Sequence, residues 1–196
     1  MSNTVPFKLV LASGSPRRKE LLNSMGVEFS VLVTDTDESL NDDQSPQENV
    51  MRLAKNKAFV AQQNVEKNNC AILAADTIVC QELNIFNKPI DIADAISTWQ
   101  QLSDTHHQVM TAVCLLANDE CYSSICTTQV RFGQITSEQM NQYWLSGEPQ
   151  DKAGAYAIQG LASAWVQEVN GSYSNVVGLP LFEVNNLLSK IGLNWL

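Results

Sequence analysis

Apolar positions along this chain alternate between a period of two and a period near 3.6, and the switches mark out strands and helices in turn. Phe7-Lys-Leu-Val-Leu11 reads as a short strand that enters the turn Ala-Ser-Gly-Ser15; Pro16 then takes a first helical position, with Leu21, Leu22 and Met25 on one helix face. Gly26 stops that helix, and Phe29 to Val33 alternates as a second strand before the acidic run Thr34-Asp-Thr-Asp-Glu-Ser39, which reads as a solvated loop. Past a polar linker, Asn41 to Gln47, the capping box Ser45-Pro-Gln-Glu48 predicts a helix with Val50, Leu53, Ala54, Ala58 and Ala61 as its buried stripe. Cys70 to Cys80 is nearly continuous apolar sequence, the signature of a central strand buried on both faces.

The second half continues the alternation. A helix is expected from about Asp91 to Leu102, with Ile92, Ala95, Ile96, Trp99 and Leu102 inward. Two strands, His107 to Leu116 and Tyr122 to Phe132, flank a hairpin turn at Asn118-Asp-Glu120. Thr136-Ser-Glu-Gln139 is a second capping box, opening a helix to about Leu145 that Gly147 stops. Gly147 to Gly160 is too irregular for one element, and segments of that kind tend to carry function. Ala164 to Val169 reads as a strand, Asn170-Gly171 as a hairpin turn before the short run Ser174 to Val177, and Gly178-Leu-Pro180 as the opening of a last helix with Leu181, Val184, Leu187, Leu188 and Ile191 inward.

No repeat, low-complexity segment or linker divides the chain, so 1–196 is expected to be one domain, long enough to bury roughly 70% of its unfolded surface. A net charge of −9 and a pI near 4.6 argue against a nucleic-acid backbone or an anionic membrane as partner. Five cysteines, an odd number without Cys-x-x-Cys spacing and mostly in apolar runs, read as reduced core thiols. With no hydrophobic stretch of membrane-spanning length, a cytoplasmic protein is expected.

Against that acidic background, the basic cluster Arg17-Arg-Lys19 stands out. It directly follows the loop, whose backbone N–H groups and Ser13 and Ser15 hydroxyls face the positive end of a helix, an arrangement suited to gripping a polyphosphate. The plainer alternative is that Ser15 merely caps a helix with an exposed basic first turn. Neither Gly-x4-Gly-Lys-Ser/Thr nor Gly-x-Gly-x-x-Gly occurs. Lys57 falls inside an apolar stripe, where it either snorkels or reaches a site, whereas Lys55 points away. Asp76 interrupts an otherwise apolar strand, where a carboxylate is costly without a cation or metal, so it reads either as a functional group or as a buried, hydrogen-bonded structural Asp, and Lys88 is expected at the rim of whatever Asp76 lines. His106 and His107 should face opposite ways and lack companion ligands, which argues against zinc.

Ser13-Gly-Ser-Pro-Arg-Arg18, Ala75-Asp-Thr-Ile-Val79, Lys88-Pro89, His107-Gln-Val-Met-Thr111, the Gly147 to Gly160 segment, Gly171-Ser-Tyr and Val177-Gly-Leu-Pro180 together resemble the Maf family in order and spacing, over about residues 8 to 190. Maf-like proteins are nucleoside triphosphate pyrophosphatases, and Asp-Lys-Ala-Gly-Ala-Tyr-x-Ile-Gln-Gly looks like the branch acting on dTTP and UTP. The resemblance implies a mixed α/β fold, a twisted sheet with flanking helices and a central cleft, akin to the inosine triphosphate pyrophosphatases. It also implies a divalent metal and commonly a homodimer. By position, Asp76 matches the family's proton acceptor, Arg18, Thr77 and Gln159 its specificity positions, and Ser13, Arg17, Glu38, Lys57 and Lys88 further cleft positions. Ser103-Asp104-Thr105, Thr111-Ala112 and Asn87 before Lys88 depart from the usual pattern.

The residue chemistry points the same way. Cleavage between the α and β phosphates needs cations, here Arg17, Lys57 and Lys88, and carboxylates, here Glu38 and Asp76, to hold Mg²⁺ or Mn²⁺ and to deprotonate water. The rival readings are a non-catalytic nucleotide-binding regulator of septum formation, which needs only the basic loop, and a pyrophosphatase for a modified purine nucleotide such as 7-methyl-GTP.

Overall fold

In the computed structural model, which describes residues 7–65 and 69–193, the strands and helices are β1 (Lys8–Ala12), α1 (Pro16–Ser24), β2 (Phe29–Val31), α2 (Pro46–Gln62), β3 (Cys70–Gln81), β4 (Asn84–Phe86), α3 (Ile92–Leu102), β5 (His106–Ala117), β6 (Glu120–Phe132), α4 (Ser137–Leu145), β7 (Val166–Asn170), α5 (Tyr173–Val177) and α6 (Leu181–Lys190). They build a mixed α/β fold on a seven-stranded sheet of order β2-β1-β3-β5-β6-β7, with β4 paired to β3. The parallel pairs β1–β2 and β1–β3 bring Leu9 beside Phe29 and Val10 beside Ile72, whereas β3–β4 and β6–β7 are antiparallel.

The chain folds into two compact units, one from Met1–Asp76, Thr111–Cys126 and Gly178–Leu196, the other from Thr77–Met110 and Thr127–Val177. In the first, strand alternation sorts side chains onto two faces. Leu9, Leu11, Ala71, Leu73, Ala75, Val113 and Leu115 form a core with Leu22 and Met25 of the α1 region and Val184, Leu187 and Leu188 of α6. Val10, Ile72 and Ala74 take the other face, and α2 packs against β1 with Val50, Leu53, Ala54, Ala58 and Ala61 all buried. The capping box that opens α2 is complete: the Ser45 hydroxyl accepts from the Glu48 N–H, and the Glu48 carboxylate accepts from the Ser45 N–H at 2.8 Å. Cys80 and Cys114 are buried, and burial pushes the Cys80 thiol up to about 11, as suits an inert core thiol.

The second unit is centred on aromatic rings. Trp99 of α3 meets Tyr143 of α4 at 5.3 Å and Trp165 at 5.8 Å, and its indole N–H donates to the Ala155 carbonyl at 2.9 Å. The 3₁₀ turn Ala153–Ala155 needs glycine at its centre: Gly154 has φ 68°, and a Cβ there would lie 2.9 Å from the Val79 methyls. Asp104 also takes a positive φ, 54°, in a turn that joins α3 to β5, a conformation that an Asp tolerates better than most residues.

Three expectations need correction. Asn170-Gly171 makes no hairpin; the chain passes into α5 in place of another strand. Thr128 explains this: its hydroxyl donates to the Ser172 carbonyl at 3.1 Å and accepts from the Ser172 N–H at 3.0 Å and the Asn175 amide at 2.8 Å, which draws the segment inward as a helical turn around a fully buried Asn175. Gly171, at φ 129°, permits that approach, since a Cβ there would sit 2.8 Å from the Thr128 hydroxyl. Ile92 is exposed, because Asp91 caps α3 and leaves its first turn outside the core. The second strand ends at Val31, short of Val33, where the chain leaves the β1 edge.

Candidate functional site

Strands β2, β1 and β3 run parallel, so their carboxyl ends share one edge, and that edge is where open α/β sheets place ligands. From β1 the chain enters Ser13-Gly14-Ser15; β2 leads to the loop bearing Glu38; Asp76 lies on β3 two residues beyond Ala74, the partner of Ala12, and so on the same face as Ala74. That face is the one α2 covers.

The β1–α1 loop is internally braced. Ser15 caps α1, its hydroxyl accepting from the Arg18 N–H at 3.4 Å, while its own N–H donates to the Ser13 hydroxyl at 3.2 Å. Arg18 folds back over the loop: Nε donates to the Gly178 carbonyl at 2.8 Å and Nη1 to the Ser13 hydroxyl at 3.4 Å. Burial pushes the Arg18 guanidinium below its usual value, Asp76 and Glu38 opposing and Arg17 reinforcing the shift, and it stays cationic as an arginine does. Arg17 is half-buried and Lys19 exposed.

Lys57 does not snorkel. Its ammonium lies 2.6 Å from Glu38 Oε1 and 2.5 Å from Asp76 Oδ1, so one cation joins the loop after β2 to the middle of β3. The Lys57 and Asp76 side chains are only 12% and 10% exposed, which makes this a buried pair, while the Glu38 side chain, 44% exposed, reaches in from solvent. An ammonium has three donors, and these contacts use two.

The residues that brace the chain just after Glu38 carry no motif. Asn49, buried on α2, accepts from the Asn41 N–H at 2.8 Å and donates to the Asn41 and Gln44 carbonyls at 2.9 and 3.1 Å; Arg52 Nη2 donates to the Ser39 carbonyl at 2.9 Å.

The sequence candidates divide between the units. Ser13, Ser15, Arg17, Arg18, Glu38, Lys57 and Asp76 fall in the first, and hydrogen bonds or ion pairs connect Ser13, Ser15 and Arg18 as one set and Glu38, Lys57 and Asp76 as another. Thr77, Lys88 and Gln159 belong to the second: Thr77 is half-buried, Lys88 and Gln159 exposed. His106 is exposed and His107 buried, as their opposed faces require. Burial, with His106 adding to it, lowers the His107 pKa to about 3, so the ring is neutral at pH 7 and serves as a packing element, its Nε2 2.8 Å from the Tyr156 hydroxyl.

Fold and site define a mixed α/β protein with a serine–arginine loop and a lysine-joined carboxylate pair at the carboxyl edge of a parallel sheet segment. The chain belongs to the Maf family: the family described as Maf-like protein matches residues 8–191. Relatives named dTTP/UTP pyrophosphatase include one from Hahella chejuensis, 44% identical over 95% of this chain and 93% of that one, and one from Pseudoalteromonas atlantica, 46% identical over 94% and 97%. A third, from Colwellia psychrerythraea, is 42% identical over 97% and 92%.

Proposed function

We propose that this chain hydrolyses dTTP and UTP to the nucleoside monophosphate and pyrophosphate. The observation that carries the reading is the convergence of Glu38 and Asp76 on one cation, on the sheet edge that also carries the serine–arginine loop, in a chain whose relatives carry the name of that activity. The family match spans both compact units, which supports one Maf-like domain over 1–196.

A divalent metal fits this donor set. Among the described residues no cluster of three or more His, Cys, Asp or Glu side chains forms a complete protein cage. Glu38 and Asp76 nonetheless lie close enough together for both to reach Lys57 Nζ within 2.6 Å, and Mg²⁺ is commonly held by one or two carboxylates with substrate phosphates completing its shell. Glu38 and Asp76 would hold Mg²⁺ or Mn²⁺, which when bound neutralises phosphate oxygens.

The chain's own residues supply the rest. Ser13, Ser15 and the α1 amino end, with Arg17, grip the triphosphate, and Lys57 offers its third donor to a phosphate oxygen. Asp76 accepts the proton of the attacking water; a new P–O bond forms, and pyrophosphate departs with the electron pair of the bridging P–O bond. Gln159 and Thr77, both of the second unit, read the base. In the orientation in which the Gln159 amide accepts from N3–H of uracil or thymine while donating to a carbonyl, cytosine, with an acceptor at N3 and an amino group at C4, leaves a group unpaired. That mismatch costs about 1–3 kcal/mol, or roughly 5- to 150-fold in kcat/KM. Gln159→Ala should therefore erode the dTTP-over-CTP ratio more than the turnover of dTTP; a ratio equal to wild type would remove Gln159 from base recognition. The same reading includes a homodimer, the cytoplasm as compartment, and a nucleotide in place of a nucleic acid as partner. No helix among the described residues is long and apolar enough to cross a membrane.

A further inference from the structure

Gln159 sits in a segment with little regular structure, between the 3₁₀ turns Ala153–Ala155 and Leu161–Trp165, so its position depends on whatever ties that segment down. Two side chains do so. Tyr143 of α4 accepts a hydrogen bond from the Ala157 N–H at 3.1 Å, two residues before Gln159. The Glu148 carboxylate accepts from the Leu161 N–H, two residues after it, at 3.0 Å to Oε1 and 3.1 Å to Oε2. The two anchors are themselves joined, the Tyr143 hydroxyl donating to Glu148 Oε1 at 2.7 Å, and the Gly160 N–H closes the intervening turn on the Ala157 carbonyl at 3.1 Å. Tyr143 is a rigid post, packed at 5.3 Å on Trp99 and 4.7 Å on Trp165. Burial, strengthened by the bond to Glu148, raises its pKa well above the usual tyrosine range, so the hydroxyl keeps the proton it donates.

Gly160 records how closely Glu148 is applied to the turn. A Cβ at position 160 would fall 2.2 to 2.3 Å from the Glu148 carboxyl atoms. A side chain at position 160 would therefore have to push the Glu148 carboxylate off the turn.

We propose that Glu148 is a positioning residue for base selection: clamped between Tyr143 and the Leu161 N–H, it fixes the 157–161 turn and thereby the reach of the Gln159 amide. The proposal rests on the reading of Gln159 as a base-recognising residue and adds to it a residue that acts through the turn.

The test compares kcat and KM for dTTP and CTP, with thermal midpoints, across wild type, Gln159→Ala, Glu148→Gln, Glu148→Ala, Gly160→Ala and the double variant Glu148→Ala/Gly160→Ala. Glu148→Ala should lower the dTTP-over-CTP ratio about tenfold, chiefly through KM for dTTP, as expected for a misplaced hydrogen-bonding group. Glu148→Gln, whose carbonyl still accepts from Leu161, should recover most of the ratio. Gly160→Ala should reproduce the loss alone and add nothing to Glu148→Ala, since the clash is with the Glu148 side chain. A wild-type ratio in Glu148→Ala beside a collapsed one in Gln159→Ala overturns the positioning role and leaves the base reading standing. A wild-type ratio in both overturns the base reading and the positioning role with it. Equal losses on both nucleotides, carried by kcat, make Glu148 structural and also overturn the proposal. Should Glu148→Ala not fold, Gly160→Ala decides: a wild-type ratio there overturns the role.

Discussion

Replacing Asp76 by Asn should leave the fold intact and lower kcat on dTTP by about 10²-fold or more, the range for removing a general base. Asn fills nearly the same volume on β3 and can still hydrogen-bond Lys57, and Glu38 keeps the ammonium paired. What the amide lacks is a charge to bind a metal and a basic oxygen to take the proton from water. Circular dichroism matching wild type, together with the kinetic loss, is the expected pair of results. Turnover within about threefold of wild type would remove Asp76 from the chemistry.

Lys57→Met should be the most destabilising of these substitutions. Its stem packs in the apolar stripe of α2 and Met retains that contact, but Asp76, 7% exposed, loses the cation that offsets its burial. Breaking a buried pair by deleting one partner costs about 3–5 kcal/mol, whereas Glu38 can turn to water at little cost. In a protein of this size each kcal/mol moves Tm by roughly 2–4 °C, so the expected fall is on the order of 10 °C. Adding Asp76→Asn to Lys57→Met should restore most of it, because the orphaned charge is gone. Urea unfolding of the single and double variants measures this directly. A Lys57→Met protein as stable as wild type would mean that the Glu38–Lys57–Asp76 arrangement does not persist in solution.

Features legible in the sequence were those whose causes are local. Both capping boxes, at Ser45 and at Thr136, open the helices they announce, and the stripe on α2 is buried position for position. Asp76 stood out because an apolar strand gives a carboxylate no local support, and Lys57 because it interrupts an apolar face; that each answers the other, across 19 positions, emerged only from the fold. The long-range anchors stayed hidden for the same reason. Nothing near Glu148 in the chain signals that it will meet the Leu161 N–H, and Asn49 and Arg52 look like ordinary polar helix residues until the Glu38 loop lies against them. Asn170-Gly171 misled because the turn signal is local, whereas Thr128, 44 positions from Ser172, decides where the chain goes next.

The central claim, that this Maf-family chain is a dTTP and UTP pyrophosphatase, is tested most directly by incubating the wild-type protein with Mg²⁺ or Mn²⁺ and a panel of nucleoside triphosphates, quantifying pyrophosphate, orthophosphate and monophosphate. Equal amounts of pyrophosphate and monophosphate are expected, with dTTP and UTP turned over fastest, CTP roughly 5- to 150-fold lower in kcat/KM, and purines poorer still. Fastest turnover of GTP or 7-methyl-GTP, release of orthophosphate in place of pyrophosphate, or tight nucleotide binding without hydrolysis would contradict that claim.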